Sequence, residues 1–140
     1  MLNSAFGGEG PDLYPEALRA EIDAVNARVY STVNNGVYRA GFATSQAAYD
    51  EAVTALFESL DWLETILDAR PYLVGDRLTE ADVRLFTTLI RFDAVYVCHF
   101  KCNLRRIADY PGLSRFLAHL WALPAFRETT NFQHIKGHYF

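Results

Sequence analysis

The chain has 140 residues, 51% hydrophobic and 14% aromatic, enough apolar material for one domain with its own core and no need of a disulfide or metal staple. Thirteen Lys and Arg against seventeen Asp and Glu leave a formal charge of −4, which excludes the basic footprint of a nucleic-acid binder or a protein held on an anionic membrane. Two cysteines, Cys98 and Cys102, are too few for a secreted disulfide scaffold and fit a reduced, cytoplasmic setting.

Residues 1–13 carry Gly7, Gly8, Gly10 and Pro11 and read as a flexible leading linker. They show no basic stretch followed by an apolar one, so no signal peptide is expected, and no apolar run approaches the length of a bilayer span. From Tyr14 the pattern turns helical. Pro15 suits a first helical position, and Leu18, Ile22, Val25 and Val29 share a face. Asn34-Asn35-Gly36 reads as the end of that helix, since these residues tolerate positive φ. Val37 to Ala43 has no clear period, and Gly36 and Gly41 around Tyr38 read as loop flexibility.

Ser45 is placed to cap a long helix running to about Arg70, where Pro71 stops it. Its apolar stripe is Val53, Leu56, Phe57, Leu60, Leu63 and Leu67, with Glu51, Glu58, Asp61 and Glu64 turned away. Thr79 and Asp82 have the spacing of a capping box, and Leu78 and Val83 that of a hydrophobic staple. The helix they start, through Phe92, is apolar around most of its circumference and belongs in the middle of a bundle. Shorter helical pieces follow near Leu104–Ala108, from Pro111 through Trp121, and from Pro124 to Arg127. With no alternating strands and no repeat, the expected fold is an all-α bundle of five or six helices.

Chemistry is less plainly written. Cys98 and Cys102, with His134 and His138, have the donor types of a zinc site but not its usual knuckle, and free thiols with surface histidines are the simpler reading; no metal is expected. Nucleophilic triads, phosphate-binding loops and dinucleotide fingerprints are all missing. Among eight tyrosines, Tyr38, Tyr96 and Tyr139 stand in unusual places. Converging phenols can hydrogen-bond a thiolate or deliver a proton without resting charge; equally, such rings fill core gaps and satisfy their hydroxyls locally. Spacing leaves both readings open.

Three stretches go further. Asn34-Asn35-Gly36-Val37-Tyr38-Arg39-Ala40-Gly41-Phe42-Ala43, the run from Leu78 through Tyr96 to Cys102, and the tail from Asn131 to Phe140 resemble the xi-class glutathione transferases, the glutathionyl-hydroquinone reductases. The likeness covers nearly everything from Tyr14 on. It implies that 14–140 form the C-terminal helical domain of a two-domain enzyme whose thioredoxin-like N-terminal domain, absent here, binds glutathione as co-substrate and carries a nucleophilic cysteine. In that family the cysteine attacks the glutathione sulfur of a glutathionylated hydroquinone, and a second glutathione resolves the mixed disulfide. Carried over, Tyr38 resembles the proton donor and acceptor for the departing hydroquinone. Tyr96 and Tyr139 match tyrosines that hydrogen-bond the cysteine sulfur and lower its pKa. Cys98 and Cys102 do not match the nucleophile's Cys-Pro motif. The resemblance also implies a homodimer formed through the helical domain. Two other readings stand beside it: a non-catalytic helical dimerisation or scaffold module, and the C-terminal domain of a conventional glutathione S-transferase.

Overall fold

Pro15, expected at the first helical position, is instead extended (φ −64°, ψ 140°) just ahead of it, and from Glu16 to Phe42 the backbone never leaves the right-handed helical region for long. The computed structural model, which describes residues 12–129, shows a 3-10 turn at Glu16–Leu18, a helix at Arg19–Val29, a π turn at Tyr30–Asn34 and a short helix at Gly36–Gly41. The expected break at Asn34-Asn35-Gly36 is therefore not a terminus. Asn35 keeps φ −84° and ψ −25°, and its N–H reaches back five residues to the Tyr30 carbonyl at 2.9 Å. A tertiary contact overrides the local propensity: the Asn34 amide donates to Thr88 Oγ1 at 2.6 Å and to the Arg84 carbonyl at 3.2 Å. The segment 37–43, expected to be irregular, is mostly helix.

The long helix spans Gln46–Ala69. Ser45 caps it, its Oγ accepting the Ala48 N–H at 3.1 Å. Arg70 is extended, at φ −154° and ψ 159°, because the following Pro71 excludes the helical region for the residue before it. Its whole expected stripe is buried. Glu64 departs from expectation. It is half-buried, and its carboxylate accepts the Gly112 and Leu113 N–H groups at 2.7 and 2.8 Å, capping the helix Pro111–Trp121 from outside that helix.

Gly75 turns the chain with φ 65° ahead of the central helix, Glu80–Arg91. Eight of its twelve residues are buried, which bears out a place in the middle of the bundle. Asp82 holds its start in place: Oδ2 accepts the Thr79 N–H and Oδ1 the Leu73 N–H, both at 2.9 Å. Beyond Arg91 a second π turn, Phe92–Tyr96, leads into a helical turn at Val97–His99. Asp93 then accepts the Ile107 and Ala108 N–H groups and fixes a 3-10 turn at Ile107–Asp109. The last described element is Pro124–Thr129, with Phe126 edge-on to Phe86 at 4.8 Å.

The core is shared among these helices. Ile22, Leu56, Leu60, Leu63, Leu85, Leu89, Phe92 and Leu113 are fully buried, each contributing roughly 1.5–3 kcal/mol of transfer free energy. Among the described residues there is no strand, and no helix is long and apolar enough to cross a membrane. The architecture is the all-α bundle expected.

Candidate active site

Two of the three tyrosines meet. Tyr38 lies on the short helix Gly36–Gly41, and Tyr96 closes the π turn Phe92–Tyr96. Their hydroxyl oxygens are 3.3 Å apart, and their rings sit edge to face with centroids at 5.9 Å. Tyr139 lies outside the described residues, as do His134 and His138.

The two phenols differ in what they face. Tyr38 is 36% exposed and Tyr96 only 2%, so Tyr38 is the outward member and Tyr96 the inner one. Each phenol has one proton and can both donate and accept. Either hydroxyl can be the donor in their shared hydrogen bond, and an ionised Tyr38 can be stabilised by donation from Tyr96. A buried donor beside a half-exposed phenol is an arrangement suited to moving a proton at a surface cleft.

Phe100 sets the geometry. Its ring stacks on Tyr96 at 5.3 Å with 10° between planes, and tilts against Tyr38 at 5.2 Å. It can lie there only because residue 41 is glycine: a Cβ on Gly41 would come within 2.3 Å of the Phe100 ring. Gly41 is thus a close-approach position inside a helix, not loop flexibility, and Gly36 is buried against Leu56. Phe42, 70% exposed, lies nearly parallel to Tyr38 at 6.3 Å and extends the aromatic surface outward. An open groove of about 400 Å³ adjoins this cluster, lined by Gly41, Thr44, Tyr49, Lys101 and Asn103 among others. The roles of Gly41, Phe42 and Phe100 are not visible in spacing.

Both cysteines are free thiols. Cys98 is exposed; Cys102 is buried, with Sγ near the Phe100 and Val37 carbonyls at 3.8 and 4.0 Å. Burial pushes the Cys102 thiol up to about 12, so it carries no thiolate at neutral pH. Among the described residues no three His, Cys, Asp or Glu side chains cluster as a metal site would require.

Comparison with known proteins places these features in a family. The family model for the glutathione S-transferase C-terminal domain matches residues 46–119. Glutathionyl-hydroquinone reductase PcpF of Sphingobium chlorophenolicum is 60% identical over 143 residues, covering 100% of this chain and 46% of that protein. The glutathione-bound structure of YqjG from Escherichia coli K-12 superposes with a TM-score of 0.93 at 57% identity, over 98% of this chain and 44% of that one. The xi glutathione S-transferase of Phanerochaete chrysosporium gives 0.91 at 63%, over 93% and 42%. The chain spans less than half the length of the curated relatives it matches.

Proposed function

Because the chain belongs to the glutathione S-transferase C-terminal domain family, we propose that it forms the hydroquinone side of a glutathionyl-hydroquinone reductase, with glutathione as co-substrate and the nucleophilic cysteine supplied by a thioredoxin-like domain. Relatives named for that activity support the reading, as does a glutathione-bound neighbour. The observation that carries it is the 3.3 Å contact between the hydroxyls of Tyr38 and Tyr96.

In this reading the cysteine thiolate attacks the glutathione sulfur of the glutathionylated hydroquinone. The aryl carbon–sulfur bond breaks, a protein–glutathione disulfide forms, and the electron pair leaves with the aryl group, which takes its proton from Tyr38. A second glutathione then gives its thiol proton to the Tyr38 phenolate and attacks the disulfide as the thiolate, freeing the cysteine as its thiolate and releasing glutathione disulfide. Tyr96 and Tyr139 hydrogen-bond the resting thiolate and favour its charged form. Tyr96 has only one proton to give, which suits a sequence of two tasks. It serves the sulfur while the sulfur is charged, then the Tyr38 oxygen once disulfide formation has removed that charge and proton transfer has moved it to Tyr38.

The partners follow: a thioredoxin-like domain, a glutathionylated hydroquinone, and a second copy of the helical domain in a homodimer. The test is turnover of a glutathionylated hydroquinone with excess glutathione, followed as released hydroquinone. The chain joined to a thioredoxin-like domain bearing the Cys-Pro motif turns over; the 140 residues alone do not. Turnover by the chain alone would contradict the assignment of the nucleophile.

A further inference from the structure

The phenol pair depends on Phe100, and Phe100 sits at the start of a turn with an unusual backbone. Phe100 and Cys102 both donate their N–H groups to the Tyr96 carbonyl, at 3.3 and 3.0 Å, so the chain folds tightly back over Tyr96. Between them Lys101 has φ 59°, the one non-glycine residue with positive φ among the described residues. A lysine gains nothing from the left-handed region and is held there by its surroundings. Besides the two backbone bonds to Tyr96, one side chain holds it. Tyr49, half-buried on the first turn of the long helix, donates its hydroxyl to the Lys101 carbonyl at 2.5 Å.

We infer that Tyr49 is a positioning residue for the Tyr38–Tyr96 pair, acting through the Lys101 carbonyl and the Phe100 ring. The long helix is anchored in the core and capped by Ser45, so Tyr49 projects from a rigid base. Its hydrogen bond fixes the left-handed residue. That residue directs Phe100 into the space left by Gly41, where its ring lies flat on Tyr96 and against Tyr38. No other tyrosine outside the pair is tied to this turn by a hydrogen bond among the described residues. The inference rests on the reading of the pair as the proton-transferring group, and the experiment separates the two.

The test compares Tyr49→Phe in a wild-type and a Lys101→Gly background, in the two-domain enzyme. Glycine adopts positive φ without steric cost, so it needs the tether less. Tyr49→Phe is expected to lower kcat about fivefold, with KM for glutathione unchanged and an altered pH profile of kcat, and to lower it less than half as much when residue 101 is glycine. NMR of ring-labelled Tyr and Phe reads the geometry separately, and the ring-current shifts of Tyr96 and Phe100 are expected to move in Tyr49→Phe. Unchanged ring shifts, or an equal loss of kcat in both backgrounds, would overturn the role of Tyr49. Moved ring shifts with turnover insensitive to both Tyr49→Phe and Tyr38→Phe would support the positioning and overturn the reductase reading instead.

Discussion

Tyr38 and Tyr96, 58 residues apart in the chain, bring their hydroxyl oxygens to 3.3 Å. Neither helix propensity nor apolar periodicity brings them together. Two π turns and one glycine do: the turn at Tyr30–Asn34 carries the chain on into the helix bearing Tyr38, the turn at Phe92–Tyr96 ends on Tyr96, and Gly41 admits the Phe100 ring between them and the rest of the fold.

Gly41 is accordingly the position where the smallest change should do the most harm. Gly41→Ala places a methyl group 2.3 Å from a ring that is itself only 3% exposed and cannot swing into solvent. Overpacking of this kind costs about 1–3 kcal/mol. Thermal denaturation should show that loss, and turnover should fall further than stability explains because Phe100 is displaced from Tyr96. An alanine variant as stable and active as wild type would mean the Phe100 ring has room elsewhere.

Asp82 gives the fold a pH dependence of definite sign. Burial pushes its carboxyl up to about 6 from 3.8, against the opposing effect of hydrogen bonds from the Leu73 and Thr79 N–H groups. The folded state thus holds this proton more tightly than the unfolded state. The resulting stability is fully present below pH 4 and is lost as pH rises through about 6, at most roughly 3 kcal/mol. Urea denaturation from pH 4 to 7 should show wild type losing stability relative to Asp82→Asn over that window. A difference between the two that stays constant with pH would contradict the shift.

Glu64 joins two helices through two backbone N–H groups, Gly112 and Leu113. Glu64→Ala leaves both without an acceptor at a helix start and should cost about 1–2 kcal/mol by chemical denaturation. Glu64→Gln keeps one acceptor oxygen and should lose less. Equal stability of all three proteins would show that water replaces the carboxylate without loss.

The two cysteines should separate cleanly by reactivity. Cys98 is exposed, while Cys102 is fully buried and its thiol is pushed up to about 12. Alkylation at pH 8 followed by mass spectrometry should give one rapidly modified thiol, Cys98, with Cys102 reacting only on denaturation. Rapid modification of both would show that the turn 100–102 opens in solution.

Much of the bundle could be read in the sequence because its signals are local. Ser45 and Pro71 bracket the long helix, Thr79 and Asp82 start the central one, and Pro111 opens the next; in each case a single side chain satisfies or removes a backbone group at a helix end. The misreadings are tertiary. Asn34-Asn35-Gly36 looks like a terminus until the Asn34 amide is seen bonded to Thr88, and a π turn leaves no periodic mark in five residues. Glu64 reads as a solvated face because its partners lie 48 and 49 residues away. Tyr38 and Tyr96 stand out by their places in the chain, but only the resemblance to a family gives them a shared role, since a contact spanning 58 residues has no spacing to reveal it. Gly41, Phe42 and Phe100 lie within the resembling stretches but are given no role by them, and Tyr49 lies outside those stretches.

The most direct measurement is a double-mutant cycle on turnover of a glutathionylated hydroquinone by the two-domain enzyme, using Tyr38→Phe, Tyr96→Phe and both together. If the pair handles one proton, each single change should lower kcat at least about tenfold and the double variant should be little worse than either, with melting temperatures close to wild type. Single effects that multiply in the double variant, or wild-type rates from Tyr38→Phe, would contradict it.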